Sequence, residues 1–297
     1  MNKYFFYLKS SFSALFLLIA FSFLIYLTEL KKLLELKPEL FFISVLLYFA
    51  SIIVLSFLEF LYLKKSIKTN FFDYFKVYFA TIFADINARF GSEFLRQKKF
   101  AGADFSRISE IKKAAFTILL VSASFISLFL IAELFWHKFL ILLAYLVFFL
   151  IFTNKKFNFL FCNMLDKFLG ILHINSFSLR IPILNLKKEH IGILVISFSL
   201  LLELASFYFI FSSLNLVFYP VYLVLFFAIF KIAESINFAT RNMGLAEGIS
   251  FIFLSSFFAL DKILLFIILS IIVRILIPIS LSILWFLYYK KEAKLPG

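Results

Sequence analysis

Apolar residues run through this chain in long unbroken blocks, not in alternation and not in one-sided stripes. Blocks at about 11–29, 40–63, 114–135, 139–153, 191–211 and 217–236 carry few charges. A last block, 263–289, contains Arg274 and Pro278 and ends in Trp285, Tyr288 and Tyr289, with Lys290 and Lys291 behind them. A helix needs about 20 apolar residues to cross a ~30 Å hydrocarbon layer, so the blocks predict an all-α, polytopic helical membrane protein with about 7–8 transmembrane helices. The first block follows Lys3 and Lys9 in the manner of a signal sequence. It is long for one, and no small-residue cleavage site follows, so it reads as a retained first span.

Two polar stretches interrupt this pattern. One is DYFKVYFATIFADINARFGSEFLRQKKF, residues 73–100; the other is KIAESINFATRNMGLAEGISF, residues 231–251. Each has a helix-like apolar segment, then Asn and Arg, then Gly, then Glu, and a longer apolar run follows. The paired sets Asn87, Arg89, Gly91, Glu93 and Asn237, Arg241, Gly244, Glu247 predict two broken or re-entrant helical segments and a degenerate internal repeat, the plan of transporters whose interrupted helices meet near a central site. Backbone can leave the helix at membrane depth only where protein or a watery cavity satisfies it. Gly91, Gly244 and Gly248 are the candidate hinges, because glycine permits tight bends. A helix starting near Ala246 would aim its free N–H groups at a phosphate or carboxylate, and Arg241 could add a bidentate contact. The competing reading is an ordinary solvated loop ahead of a helix.

Residues 248–260 are too few for a full crossing at ~1.5 Å per residue; they form either a short crossing or a dip that returns. Residues 157–189 are less apolar and read as an interfacial helix plus connector, dividing a single 1–297 membrane domain into halves of about 1–156 and 190–297.

Charge then sets orientation. The net formal charge is +13, divided among short loops: Lys64, Lys65 and Lys68; Lys155 and Lys156; Lys187 and Lys188. Retention of basic loops on the inner side predicts a multi-pass protein of the cell (inner, cytoplasmic) membrane with both termini cytoplasmic. Such scattered charge argues against nucleic acid as a partner. Arg96, Lys98, Lys99, Arg107, Lys112 and Lys113 form a basic cluster that the same rule explains, and that suits anionic lipid. Charges inside spans cost from about 2.5 kcal/mol upward and need a partner or a cavity. Lys231 and Glu234 lie three apart and can neutralise each other; Arg274 needs Glu203 or Glu247.

Composition changes the picture little further. The chain is 64% hydrophobic, well above the ~45–50% of soluble domains, and its mean hydropathy is +1.04. The 48 phenylalanines read mostly as lipid-facing filler. A single cysteine, Cys162, rules out an internal disulfide. Cys162 and the scattered His137, His173 and His190 give no metal spacing. Asp73, Asp85 and Glu93 do not match a metal-dependent lipid transferase, and no hydrolase, zinc-protease or nucleotide-binding signature occurs. No metal, cofactor or catalytic residue is therefore assigned, and an enzyme is not expected.

The stretches RFGSEFLR (89–96) and NMGLAEGISFIFL (242–254), each with the long span after it, resemble the two half-motifs of the transmembrane region of lysylphosphatidylglycerol synthase/flippase proteins and their stand-alone relatives. The likeness covers roughly residues 8–290. Where that family commonly has a proline before each glycine, Ala88 and Asn242 stand here, and Leu245 and Ala246 replace a further glycine and an arginine. The soluble aminoacyl-transferase domain of full-length synthases is absent from the sequence, so lipid aminoacylation is not expected of this chain alone. The resemblance implies a protein that binds a phospholipid or lipid-linked headgroup and translocates it between leaflets. Arg96, Arg241 and Arg274 would meet phosphate, with Glu93 and Glu247 bracing the broken helices or meeting a cationic group. The implied partners are membrane lipids, anionic or polyprenyl-linked. A homo-oligomer or a membrane enzyme is the candidate assembly. The alternatives are a non-catalytic subunit assisting a lipid-modifying enzyme or glycosyltransferase, and an intramembrane lipid-modifying enzyme using Glu93 or Glu247.

Overall fold

The structure, a computed structural model, describes residues 36–64, 66–82, 91–100, 105–154, 156–160, 163–164, 186–235 and 245–293. The described residues are helical, without strands: α1 (Pro38–Leu63), α2 (Phe71–Thr81), α3 (Gly91–Lys99), α4 (Phe105–Ile131), α5 (Phe135–Thr153), α6 (Leu186–Ser213), α7 (Pro220–Ser235), α8 (Leu245–Leu254), α9 (Leu260–Ile271), a π-helical turn (Ile272–Leu276) and α10 (Ile277–Ala293). Among the described residues, four stretches are long and apolar enough to span a membrane: 38–63, 108–131, 190–213 and 260–288. The predicted span at 11–29 and most of the connector 157–189 lie outside the described residues.

Between lipid-embedded helices there is no hydrophobic gain on association, so small residues and interhelical hydrogen bonds carry the contact. The α1–α6 pair is built on this principle. Ser44 and Ser51 recur every seventh residue on α1, and Ser199, Ser206 and Ser213 do so on α6; all five are buried. The Ser206 hydroxyl donates to Ser44 O at 2.8 Å, the Ser199 hydroxyl to Ser51 O at 3.4 Å, and Lys37 N to Ser213 O at 3.0 Å. Residue numbers rise on one helix as they fall on the other, so the pair is antiparallel. At the Leu63 end of the seam a Cβ on Gly192 would lie 2.5 Å from the Tyr62 hydroxyl; glycine is what allows that ring to lie there. We predict that Ser206→Leu costs about 1–3 kcal/mol by overpacking the seam, while Ser206→Ala costs under about 1 kcal/mol, the scale of one membrane hydrogen bond. Thermal unfolding in detergent reads the difference.

Each half then repeats one plan: a long helix, a helical hairpin, a long helix. In the first half Asn70 caps α2, its side chain accepting from Asp73 N at 2.8 Å. α2 runs back along α1, Phe71 and Tyr74 against Phe60 and then Phe79 against Phe49. α3 returns beside it, with Phe100 against Tyr74. Phe105 and Ile108 at the start of α4 join Phe60, Leu63 and Tyr74 in one cluster, so the hairpin leaves from the Leu63 end.

In the second half α7 descends from the opposite, Ser213 end, and α8 climbs back. Phe253 meets Phe226, Phe257 meets Phe218 and Tyr222, and Phe258 meets Phe211. The predicted span at 217–236 is thus one arm of a helical hairpin whose described ends both lie at the Ser213 end: α7 has 16 helical residues, about 24 Å long, and α8 has 10.

The two hairpins therefore enter from opposite ends of an antiparallel pair, which makes the internal repeat an inverted one. Packing is exchanged accordingly: α7 lies on α4 of the other half, and α2 on α10, where the Ser282 hydroxyl donates to Phe79 O at 2.7 Å and Trp285 meets Phe79 edge-on.

The phenylalanines are less uniformly peripheral than composition implied. Phe207, Phe211, Phe226, Phe230 and Phe266 are all buried to 1% exposure or less where α6, α7 and α9 meet. Phe211 stacks on Phe266 at 4.2 Å, and Phe207 meets Phe230 edge-on at 5.0 Å. These rings hold the second hairpin by dispersion and quadrupole contact.

Candidate functional site

Two buried charge clusters lie at different depths, one beside each hairpin. The first is centred on Glu59, whose side chain is 1% exposed, one turn from the end of α1. Arg96 in the last turn of α3 donates Nε to Glu59 Oε1 at 3.0 Å and Nη1 to the Thr81 hydroxyl at 3.3 Å, its guanidinium 4.5 Å from the Tyr78 ring. Lys112 of α4 donates Nζ to Glu59 Oε2 at 2.6 Å. Tyr74 Oη is buried alongside, with no hydrogen-bond partner of good geometry among the described residues. The arrangement ties α1, α2, α3 and α4 together through one carboxylate. Arg96 and Lys112, expected in a solvated basic cluster, are instead interior counter-ions. Arg96, predicted to meet lipid phosphate, is engaged by Glu59, Thr81 and Tyr78.

The second cluster spans α6, α7, α8 and the π-helical turn. Lys231 Nζ donates to Glu234 Oε2, one turn along α7, at 2.6 Å and lies 2.7 Å from Glu203 Oε2 on α6. This second contact carries the cluster from α7 across to α6. Arg274 Nη2 donates to Glu247 Oε1 at 3.4 Å, and Nη1 lies 3.7 Å from Glu234 Oε1. The order Glu203, Lys231, Glu234, Arg274, Glu247 alternates in sign across four elements.

Arg274 is the least satisfied member. Its side chain is 2% exposed, yet Nε and Nη1 have no hydrogen-bond partner among the described residues. The guanidinium lies 4.2 Å from the Phe230 ring and 5.8 Å from that of Phe207, which confines it without using its donors. It sits in the π-helical turn, a local widening that is frequent at functional sites. Glu203 lies between Ser199 and Ser206, which bond to Ser51 and Ser44 of α1, and this sets the cluster about 17 Å from Glu59 along the α1 axis at ~1.5 Å per residue.

Of the residues singled out in the sequence, Arg274 and Glu247 are brought together as expected, and Glu203 is claimed by Lys231 and not by Arg274. Arg96 belongs to the other cluster. Gly91 is the first residue of α3; the side chain of Glu93, and all of Arg241 and Gly244, lie outside the described residues. Gly248 is helical and exposed, and a Cβ there meets nothing within 4 Å. The hinge expected at Gly248 is therefore not there: the residue lies inside α8. We predict that Gly248→Ala folds normally and gains about 0.5–1 kcal/mol of helix propensity, read as an unchanged or raised Tm.

Glu59, Thr81, Tyr78 and the serine seam went unassigned in the sequence. The seven-residue serine spacing and a lone glutamate closing an apolar block were the available signals. Among the described residues no metal-binding group of three or more His, Cys, Asp or Glu side chains forms.

Comparison with protein-family models, with curated proteins and with solved structures found no match.

Proposed function

We propose that this protein moves a phospholipid or lipid-linked headgroup between leaflets of the cell membrane, the headgroup passing the second cluster while its tails stay in the bilayer. The observation that carries this reading is Arg274: a guanidinium at membrane depth with two donors unsatisfied among the described residues, in the cradle between the α7–α8 hairpin and the last span. A buried cation with open donors costs several kcal/mol unless something binds there, and a phosphate oxygen pair suits the guanidinium fork. The inverted pair of hairpins supports the same reading, since such repeats place substrate sites near the midplane, approachable from either side. The likeness of 89–96 and 242–254 to the lysylphosphatidylglycerol synthase/flippase region agrees with it.

The test is leaflet exchange of labelled lipids in liposomes with purified protein, run with anionic, zwitterionic and polyprenyl-phosphate headgroups. Accelerated exchange of at least one class, lost in Arg274→Met, is the expected result. Equal rates with and without protein for every headgroup would sink the proposal.

A further inference from the structure

We infer that the outward groove between α1, α2 and α6 seats one acyl chain of an anionic phospholipid, whose headgroup rests on lysines at the Leu63 end. The groove holds about 490 Å³, and apolar side chains alone line it, among them Ile53 and Phe57 of α1, Phe71 of α2, and Leu194 and Phe198 of α6. Phe71 meets Phe57 edge-on at 5.3 Å, which closes the corner between α1 and α2. The serine seam ties α1 to α6, so the two long walls keep a fixed spacing. The groove faces away from the second cluster. Glu203, which meets Lys231 there, is nine residues on from Leu194, about two and a half turns and therefore the opposite face of α6. This lipid site is separate from the passage proposed at Arg274 and does not depend on it.

Each wall of the groove leads to lysine at the same end. On α1 the stripe of Ile53 and Phe57 continues through the exposed Leu61 to Lys64, which keeps helical backbone angles at the C-cap and is exposed. On α6 the positions seven residues before Leu194 and Val195, about two turns nearer that end, are Lys187 and Lys188. Ahead of α2, the exposed Lys68 stands three residues before Phe71. In the other direction the stripes run on through Leu46 and Leu201, and residues 212–216 carry no charge. From Ile53 to Lys64 the helix rises about 16 Å at ~1.5 Å per residue, and one leaflet supplies about 15 Å of the ~30 Å hydrocarbon core. A chain whose headgroup sits at the lysines therefore ends at the level of Ile53 and Phe198. Lysines at a membrane surface attract acidic headgroups. A second copy in the same orientation would bring its own lysines to this end and meet like charge.

Photolabelling of the whole protein in lipid nanodiscs tests the site. The probes are phosphatidylglycerol and phosphatidylcholine, each with a mid-chain diazirine, and peptide mapping by mass spectrometry is the readout. Labelling of residues 53–57 and 194–198 should favour phosphatidylglycerol at least about fivefold, the scale of one lysine near a membrane surface. Tyr208, exposed toward the uncharged end of α6, should take both probes alike. Lys64→Gln/Lys68→Gln should remove most of the preference, and raised salt should flatten it in the wild type. Leu194→Trp fills the groove and leaves every lysine in place. It should lose most of the label at 53–57 while Tyr208 keeps its own, and it serves where the lysine variant folds poorly. Equal labelling of the groove by the two probes, or a preference undiminished in Lys64→Gln/Lys68→Gln, overturns the inference. So does a groove without label in a protein labelled at Tyr208, the result expected if residues 11–29 or a second copy fill it.

Discussion

Glu59→Leu should destabilise the protein by about 3–5 kcal/mol, the cost of breaking a buried ion cluster by removing the shared partner. Glu59 answers two cations from two other helices, Arg96 at 3.0 Å and Lys112 at 2.6 Å. Taking it away leaves a guanidinium with 4% side-chain exposure facing hydrocarbon-like surroundings. The order of effects is the discriminating part. Lys112→Met should cost much less, because Glu59 retains Arg96 and because Lys112, 17% exposed, lies closer to the water-facing end of its helix. Glu59→Leu/Arg96→Met should recover part of the loss, since neighbours in one network are not additive. Denaturant or thermal unfolding in detergent measures all three. If Glu59→Leu unfolds no more readily than Lys112→Met, the cluster is not what holds the first hairpin to α1.

How much of this could be read in advance differs from element to element, for physical reasons. The long spans were legible because a hydrocarbon slab imposes a length: 40–63 was read where α1 covers Pro38–Leu63, and 191–211 where α6 ends at Ser213. The two polar stretches at 73–100 and 231–251, marked by Gly, Arg and Glu where only apolar residues are cheap, fall in the two helical hairpins, while the hinge expected at Gly248 is helical. Depth was not legible. The apolar block at 217–236 satisfies a length rule equally well as a crossing helix or as one arm of a hairpin, and only its contacts with 245–258 decide. Charge pairing was half legible. Lys231 and Glu234 share a helix and announce themselves, whereas Glu59 finds Arg96 and Lys112 only once three helices converge. Arg274 was assigned two candidate partners, and the fold kept Glu247 and gave Glu203 to Lys231. The serine seam was missed because a small polar residue inside a span carries no sign of what it touches until the facing helix is known.

Arg274→Lys should separate charge from geometry in the second cluster. Lysine keeps a cation beside Glu247 and Glu234, so stability should fall by no more than about 1–1.5 kcal/mol, in the range of a tolerated interior swap. It loses the planar fork and the two donors that stand open in the guanidinium, and a point charge does not replace a bidentate contact. Headgroup exchange should therefore fall about tenfold or more, the equivalent of roughly 1.4 kcal/mol at the binding step, while Tm barely moves. Arg274→Met removes the charge as well and strips Glu247 of its cation; it should lose exchange and about 3 kcal/mol of stability together. If Arg274→Lys translocates as the wild type does, the open donors are not where a phosphate binds. The guanidinium would then serve only as ballast for two carboxylates, and the headgroup would have to be sought along the first hairpin.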